Sequence, residues 1–252
     1  MNQATLQPER TQSISLFTGA VDHTWQQRPG ARTTLRVGVP NTGRLFELSG
    51  RLLSLVLPFP WNSRGLLFDV GNETEVLRAR STDLPHLLAY GIVDVAVTGS
   101  DYAFESGANV VEYGNLELIS GRLCLLTASG GIPQTADGSP FRISTQYPRY
   151  GRDFVEREGL NARVLEVTGA GELYPRIGLA EASLDMVVTG ETRRQNGLQI
   201  AAEVVPVYSA VYLAADLPEG LRGRAEQAAE ALMRVRHAPE GRAQLREAGM
   251  NV

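Results

Sequence analysis

The stretch from Glu172 to Leu198, ELYPRIGLAEASLDMVVTGETRRQNGL, sets two carboxylates, Glu172 and Asp185, beside the turn Thr189-Gly190-Glu191-Thr192. Carboxylates stabilise positive charge that develops at a reacting centre, and a Thr-Gly-x-Thr turn at a helix start offers hydroxyls and free backbone N–H groups to a phosphate. The combination points to a sugar-phosphate site. The apolar run Leu184, Met186, Val187 and Val188 reads as a buried parallel strand, followed by the turn and a short helix ended by Asn196-Gly197. Gly190 lets the backbone come close to a ligand. The same residues also suit an ordinary strand-to-helix turn with Thr192 as N-cap, Glu172 capping a helix start and Asp185 solvated at a strand end.

A second copy of the pattern lies upstream. Asp94-Val95-Ala96-Val97-Thr98-Gly99-Ser100-Asp101 repeats the scheme of Asp185 through Thr192 at an offset of 91 residues. Asp83-Leu84-Pro85 before the first copy loosely matches Glu172-Leu173-Tyr174-Pro175 before the second. Two similar α/β halves are implied, with ligands held beyond the carboxyl ends of their strands in a cleft between them.

The elements that must position these residues follow from hydrophobic periodicity and turn signals. Leu35–Pro40 is a first strand, and Asn41-Thr42-Gly43-Arg44 turns it into a helix over 45–55. Arg44 at that turn suits either a phosphate or base contact or a solvated helix start. A hairpin around Gly71-Asn72, with Arg78 and Arg80 near a strand end, precedes a helix over 83–90. Strands over 109–113 and 120–127 lead to the loop 128–140, where the chain is expected to cross between domains. A second series follows: strand 141–145, helix 150–158, strand 162–167 and helix 172–181. Strand 204–214 returns to the first domain, and 222–236 is an amphipathic packing helix. The expected division is an extension at 1–34 anchored by Trp25 and partly disordered, a first domain of 35–127 plus 205–252, and a second of 128–204.

Composition narrows the function classes. The chain has 252 residues, 43% of them hydrophobic, which suffices for packed cores. Its net charge of −4 gives no basic footprint for nucleic acid. All 24 basic residues are arginine, so Schiff-base and P-loop lysines are excluded and charged contacts to phosphate fall to guanidinium groups. Cys124, the single cysteine, sits among leucines as a buried structural thiol, which fits a reducing cytoplasm. His23, His86 and His237 have no metal-ligand spacing. No apolar stretch has membrane length, and the first residues lack the pattern of a secretory leader.

The residues resemble the ATP phosphoribosyltransferases that open histidine biosynthesis. The matching pieces are Val37 to Leu45, Arg78-Ala79-Arg80, Gly91 to Asp94 with Thr98 to Asp101, Thr145-Gln146-Tyr147-Pro148 and, most specifically, Glu172 through Leu198. The resemblance implies two α/β domains like those of type II periplasmic binding proteins with a cleft between them. It implies phosphoribosyl pyrophosphate held on Thr189, Gly190, Glu191 and Thr192, with N1 of ATP attacking C1 of the ribose and pyrophosphate leaving with Mg²⁺. Displacement at an anomeric carbon passes through an oxocarbenium-like state, which Glu172 and Asp185 would stabilise as the catalytic carboxylates. Arg44, Arg78 and Asp101 would lie on the nucleotide side. The resemblance is to the short form, which works in the cytoplasm as an oligomer with a synthetase-like regulatory subunit.

The chain departs from the family at three points: Thr42 and Gln146 stand where lysine is usual, and Leu123-Cys124 where Cys-Arg is usual. Each departure removes positive charge near a site for polyanions. Two alternatives accompany the leading one: a phosphoribosyltransferase for another base, and a non-catalytic ligand-binding module of the same shape.

Overall fold

The computed structural model describes residues 32–190 and 194–247, and for Arg44 only the backbone. Glu191, Thr192, Trp25 and the expected extension, except 32–34, therefore lie outside the described residues.

The first half starts with β1 (Leu35–Pro40), almost wholly buried, as its apolar run dictates. A turn at Asn41–Gly43 leads into α1 (Arg44–Ser54). A hairpin of β2 (Leu67–Asp69) and β3 (Thr74–Ala79) follows, its turn closed by Asp69 accepting the Gly71 N–H at 2.9 Å. Then come α2 (Leu84–Ala89), β4 (Val95–Gly99) and α3 (Ser100–Ser106). The long β5 (Val110–Thr127) carries the chain to the second half, built of β6 (Phe141–Thr145), α4 (Pro148–Arg157), β7 (Ala162–Glu166), α5 (Leu173–Arg176) and β8 (Ala182–Val187). β9 (Gln199–Ala214) returns, and α6 (Glu219–His237) and α7 (Pro239–Glu247) pack on the first half.

The strands form one mixed sheet in the order β2-β3-β1-β4-β9-β5-β8-β6-β7. Each half contributes a parallel trio, β3-β1-β4 or β7-β6-β8, and each trio is flanked by an antiparallel strand, β9 against β4 and β5 against β8. β5 and β9 pair with each other along their lengths and so join the halves. Two hydrophobic clusters fill the interior. One gathers β1, β4 and α6 around Val37, Val95 and Leu232; the other gathers β6, β8 and α4 around Ile143, Leu184 and Phe154, and includes Leu123 and Leu125 of β5. Cys124, on the opposite face of β5, is fully buried beside Leu126, as its apolar neighbours require.

Three sequence expectations are corrected. The strands expected at 109–113 and 120–127 are one strand, since Asn115 and Ser120 still pair with β9 on either side of a register shift. The helix expected over 172–181 is a single turn, Leu173–Arg176. Gly178, at φ 76°, reverses the chain, and the N–H groups of Leu179 and Ala180 fold back on the Tyr174 carbonyl at 3.0 and 3.3 Å. The duplication is real in topology, but its residue register differs from the 91-residue repeat. Asp94 precedes β4 and accepts the Arg36 N–H at 2.7 Å; its counterpart before β8 is Glu181, which accepts the Arg142 N–H at 2.7 Å. Asp185 lies further along, one residue beyond the Thr145–Leu184 pair and toward the carboxyl end of the sheet. Two apolar strands with similar flanks create the sequence match, whereas hydrogen-bond register sets the structural one.

Candidate active site

The site is built on the carboxyl ends of β6 and β8 and on the loop entering α5. Asp185 belongs to β8, between Leu184, which faces the core, and Met186, whose N–H donates to the Asp185 Oδ1 at 2.7 Å. Glu172 arrives from the loop 167–172. That loop is pinned by Ser144, whose buried hydroxyl reaches the carbonyls of Gly171 at 2.9 Å and Ala182 at 3.2 Å. Ala170 adopts φ 49°, a left-handed conformation that costs an alanine free energy and that the surrounding bonds enforce. Gly171 presses against β8 so closely that a Cβ there would lie 2.9 Å from the Ser183 Oγ and 3.5 Å from the Asp185 Oδ2. Only glycine brings Glu172 this near.

The result is a carboxyl group on β8 with a second carboxylate, Glu172, close enough for its charge to act on it. Burial, and then the charge of Glu172, push Asp185 up to about 6, against the lowering effect of the Met186 N–H bond. A carboxyl group poised at about 6 can respond to positive charge developing beside it.

Beyond β8, Thr189 is exposed and Gly190 is buried with φ 73°, a conformation that glycine adopts without strain. The Gly190 carbonyl accepts the Arg194 N–H at 3.2 Å. Thr189 and Gly190 thus follow directly from the strand that holds Asp185, while Glu191 and Thr192 lie outside the described residues.

The nucleotide-side candidates are placed differently. Arg44 begins α1, at the carboxyl end of β1, and its side chain lies outside the description. Arg78 is 7% exposed, lies over the Phe46 ring at 4.6 Å and donates from Nη1 to the carbonyls of Ser63 at 2.5 Å and Gly65 at 3.3 Å. Its Nε, like the Asn41 Oδ1 nearby at the end of β1, is buried without a partner among the described residues. Asp101, at the start of α3, is 2% exposed and accepts the Tyr147 hydroxyl at 3.0 Å from the second half. Burial raises its pKa.

Ser144, Thr145, Tyr147 and Gly171 were not singled out by their chemistry in the sequence, although all four shape the site. The available signal was the run Ile143-Ser144-Thr145-Gln146, where polar residues replace apolar ones at the end of a buried strand.

Residues 80–234 match the family model described as HisG: ATP phosphoribosyltransferase. The chain is 30% identical over 183 residues to the ATP phosphoribosyltransferase of Saccharolobus solfataricus; the match covers 70% of this chain and 63% of that protein's length. Among solved structures it resembles the ATP phosphoribosyl transferase (HisG:HisZ) complex from Thermotoga maritima, with a TM-score of 0.67 at 24% identity over 79% of this chain and 96% of that chain. It also resembles the substrate binding protein of an amino acid ABC transporter, with a TM-score of 0.52 at 12% identity over 85% of this chain and 98% of that one. The two likenesses establish the two-domain fold of type II periplasmic binding proteins.

Proposed function

Because the chain belongs to the ATP phosphoribosyltransferase family, we propose that it transfers phosphoribose from phosphoribosyl pyrophosphate to N1 of ATP with release of pyrophosphate, the first step of histidine biosynthesis. The observation that carries this reading is the approach of the Gly171–Glu172 loop to Asp185, where a Cβ on Gly171 would lie 3.5 Å from the Asp185 Oδ2, one strand end away from the Gly190 turn.

Breaking the bond between C1 and the pyrophosphate oxygen leaves positive charge on the ribose and negative charge on the leaving group. Glu172 and Asp185 face the first; no protein nucleophile is needed. The turn Thr189 to Thr192 holds the 5′-phosphate, and Arg44, Arg78 and Asp101 mark the nucleotide side. The partnerless Arg78 Nε and Asn41 Oδ1 support that assignment, since buried polar atoms call for partners that a ligand can supply. Mg²⁺, bound with the pyrophosphate of the substrate, would supply positive charge to neutralise what develops on the leaving group.

We assign residues 35–127 with 205–252 to one domain and 128–204 to the other, and the substrates to the cleft between them. No described helix is long and apolar enough to cross a membrane. A cytoplasmic location is proposed from the membership in a histidine-biosynthetic enzyme family. A homo-oligomer working with a synthetase-like regulatory subunit is proposed from the Thermotoga maritima likeness.

A second reading rests on Gln146. Where the resemblance expects a lysine, this chain exposes the neutral amide of Gln146 just beyond β6, which suits an acceptor less anionic than ATP. Incubating the protein with phosphoribosyl pyrophosphate, Mg²⁺ and ATP or a panel of other bases, with and without the regulatory subunit of the same organism, and recording pyrophosphate release separates the two. Release with ATP supports the first reading. Release with another base alone replaces it, and tight substrate binding without release leaves a ligand-binding module.

A further inference from the structure

Where α3 packs on β9, the molecule holds an open cavity of about 440 Å³, within the size range of small-ligand pockets. Its wall takes Phe104 from α3, Tyr150 from α4, Glu112 from β5 and Tyr208 and Tyr212 from β9, so both halves and the strands that join them contribute. Strand register gathers the polar part. Glu112 pairs with Tyr212 across the β5–β9 ladder, and Tyr208, four residues earlier on β9, shares the Tyr212 face because side chains alternate along a strand. Both tyrosine hydroxyls donate to the Glu112 carboxylate, Tyr212 to Oε2 at 3.0 Å and Tyr208 to Oε1 and Oε2 at 3.2 Å each. Burial first, and then the Glu112 charge, raise the pKa of both tyrosines, which therefore stay protonated as donors. Phe104 and Tyr150 pack together on the helical side, their ring centroids 4.1 Å apart.

We propose that this cavity binds a small organic cation with an ammonium or guanidinium head, the head at Glu112 and the carbon chain against the aromatic wall. The two tyrosine hydroxyls are neutral donors that orient the carboxylate without cancelling its charge. A carboxylate offers about four lone-pair sites, so two hydroxyl protons leave room for further donors. Among the described residues no arginine lines the cavity, and the charge there is negative. Aromatic rings attract a weakly hydrated cation, and the apolar wall takes its chain. The rim already shows this chemistry, since the Arg149 guanidinium lies 4.9 Å from the centre of the Phe104 ring. A hard metal ion, which takes about six oxygen ligands, would find one carboxylate among rings, and an anion would meet a like charge. The cavity is thus opposite in charge preference to the site proposed for the polyanionic substrates, and the inference stands independently of the transferase reading.

The test titrates the full-length, unliganded protein with butylammonium chloride and with methylguanidinium chloride, following backbone amide and tyrosine-ring NMR shifts. 1-Pentanol serves as the uncharged analogue of butylammonium, and sodium chloride as the ionic-strength control. At least one of the two cations should bind saturably with a Kd on the order of 1–10 mM, and the shifts should concentrate at Glu112, Tyr150, Tyr208 and Tyr212. E112Q keeps an acceptor for both tyrosine hydroxyls and removes the charge; affinity should fall by at least about tenfold. Y208L removes one ring and should weaken binding by about threefold. The comparison of butylammonium with pentanol on wild type needs no variant to fold. Pentanol bound as tightly as butylammonium, an E112Q protein of unchanged affinity, or no saturable shift with either cation would overturn the proposal. A pentapeptide with one arginine between glycines that binds where the free cations do not would also overturn it, giving the cavity to a protein side chain instead.

Discussion

Glu172, at the entry of α5, acts by its charge on Asp185 of β8, and after burial it is the largest cause that raises the Asp185 pKa. A like charge beside a buried carboxyl disfavours its ionisation and holds Asp185 above the ordinary carboxylate value.

The first prediction concerns the pH profile. Asp185 is pushed up to about 6 by burial first and by Glu172 second, so kcat/KM should fall as pH drops through that value and the ionised partner is lost. E172Q removes the like charge, and the acid limb should move to lower pH while turnover drops by at least about tenfold and substrate affinity changes little. An acid limb that stays in place in E172Q would remove Glu172 from the pair.

Stability gives a second, independent check. The folded state holds the Asp185 proton to higher pH than the unfolded chain, where the ordinary value is 3.8. Folding is therefore penalised progressively as pH rises from the unfolded value to about 6, and fully above it. D185N keeps an acceptor for the Met186 N–H and abolishes the penalty. Its Tm should exceed that of wild type by about 2–6 °C at about pH 8, and the gain should vanish near pH 4. Equal gains at both pH values, read by calorimetry, would show that the effect is not ionisation.

Gly190 occupies a left-handed conformation in a buried turn. Gly190→Ile places a β-branched side chain where the backbone disfavours it and crowds the approach to the turn. Phosphoribosyl pyrophosphate affinity should fall by more than about tenfold in a variant whose circular dichroism matches wild type. Unchanged affinity by calorimetry would detach the turn from the phosphate.

Glu105 accepts two backbone N–H groups of the α4 first turn, where the helix dipole also favours a carboxylate. E105A should cost about 1–2 kcal/mol in urea unfolding, because a cap and a contact between the halves are lost together. The loss should be accompanied by faster amide exchange at Arg149 and Tyr150; unaltered exchange would mean that other groups hold the α4 start.

Much of this architecture was legible along the chain because local rules decide it. Apolar runs such as Val37 to Val39 and Val95 to Val97 can only be buried strands, and the alternation of such strands with amphipathic helices implies parallel sheets. The pairing of a carboxylate-rich segment with a Thr-Gly turn also followed from residue types, as did the burial of Cys124. Register, contact and burial of the polar groups belonged to the tertiary structure. The match between Asp94 and Asp185 dissolves once strand pairing makes Glu181 the counterpart of Asp94, since a hydrogen-bonded ladder counts residues from its own ends. Arg78 reads in the sequence as a strand-end cation, whereas the fold wraps the loop carbonyls of Ser63 and Gly65 around it. Asp101 and Tyr147 are far apart in sequence, and only the docking of α3 on α4 joins them. Periodicity records which face of an element is buried; it carries no information on which distant partner satisfies a buried hydroxyl or carboxylate, because that is settled by long-range packing.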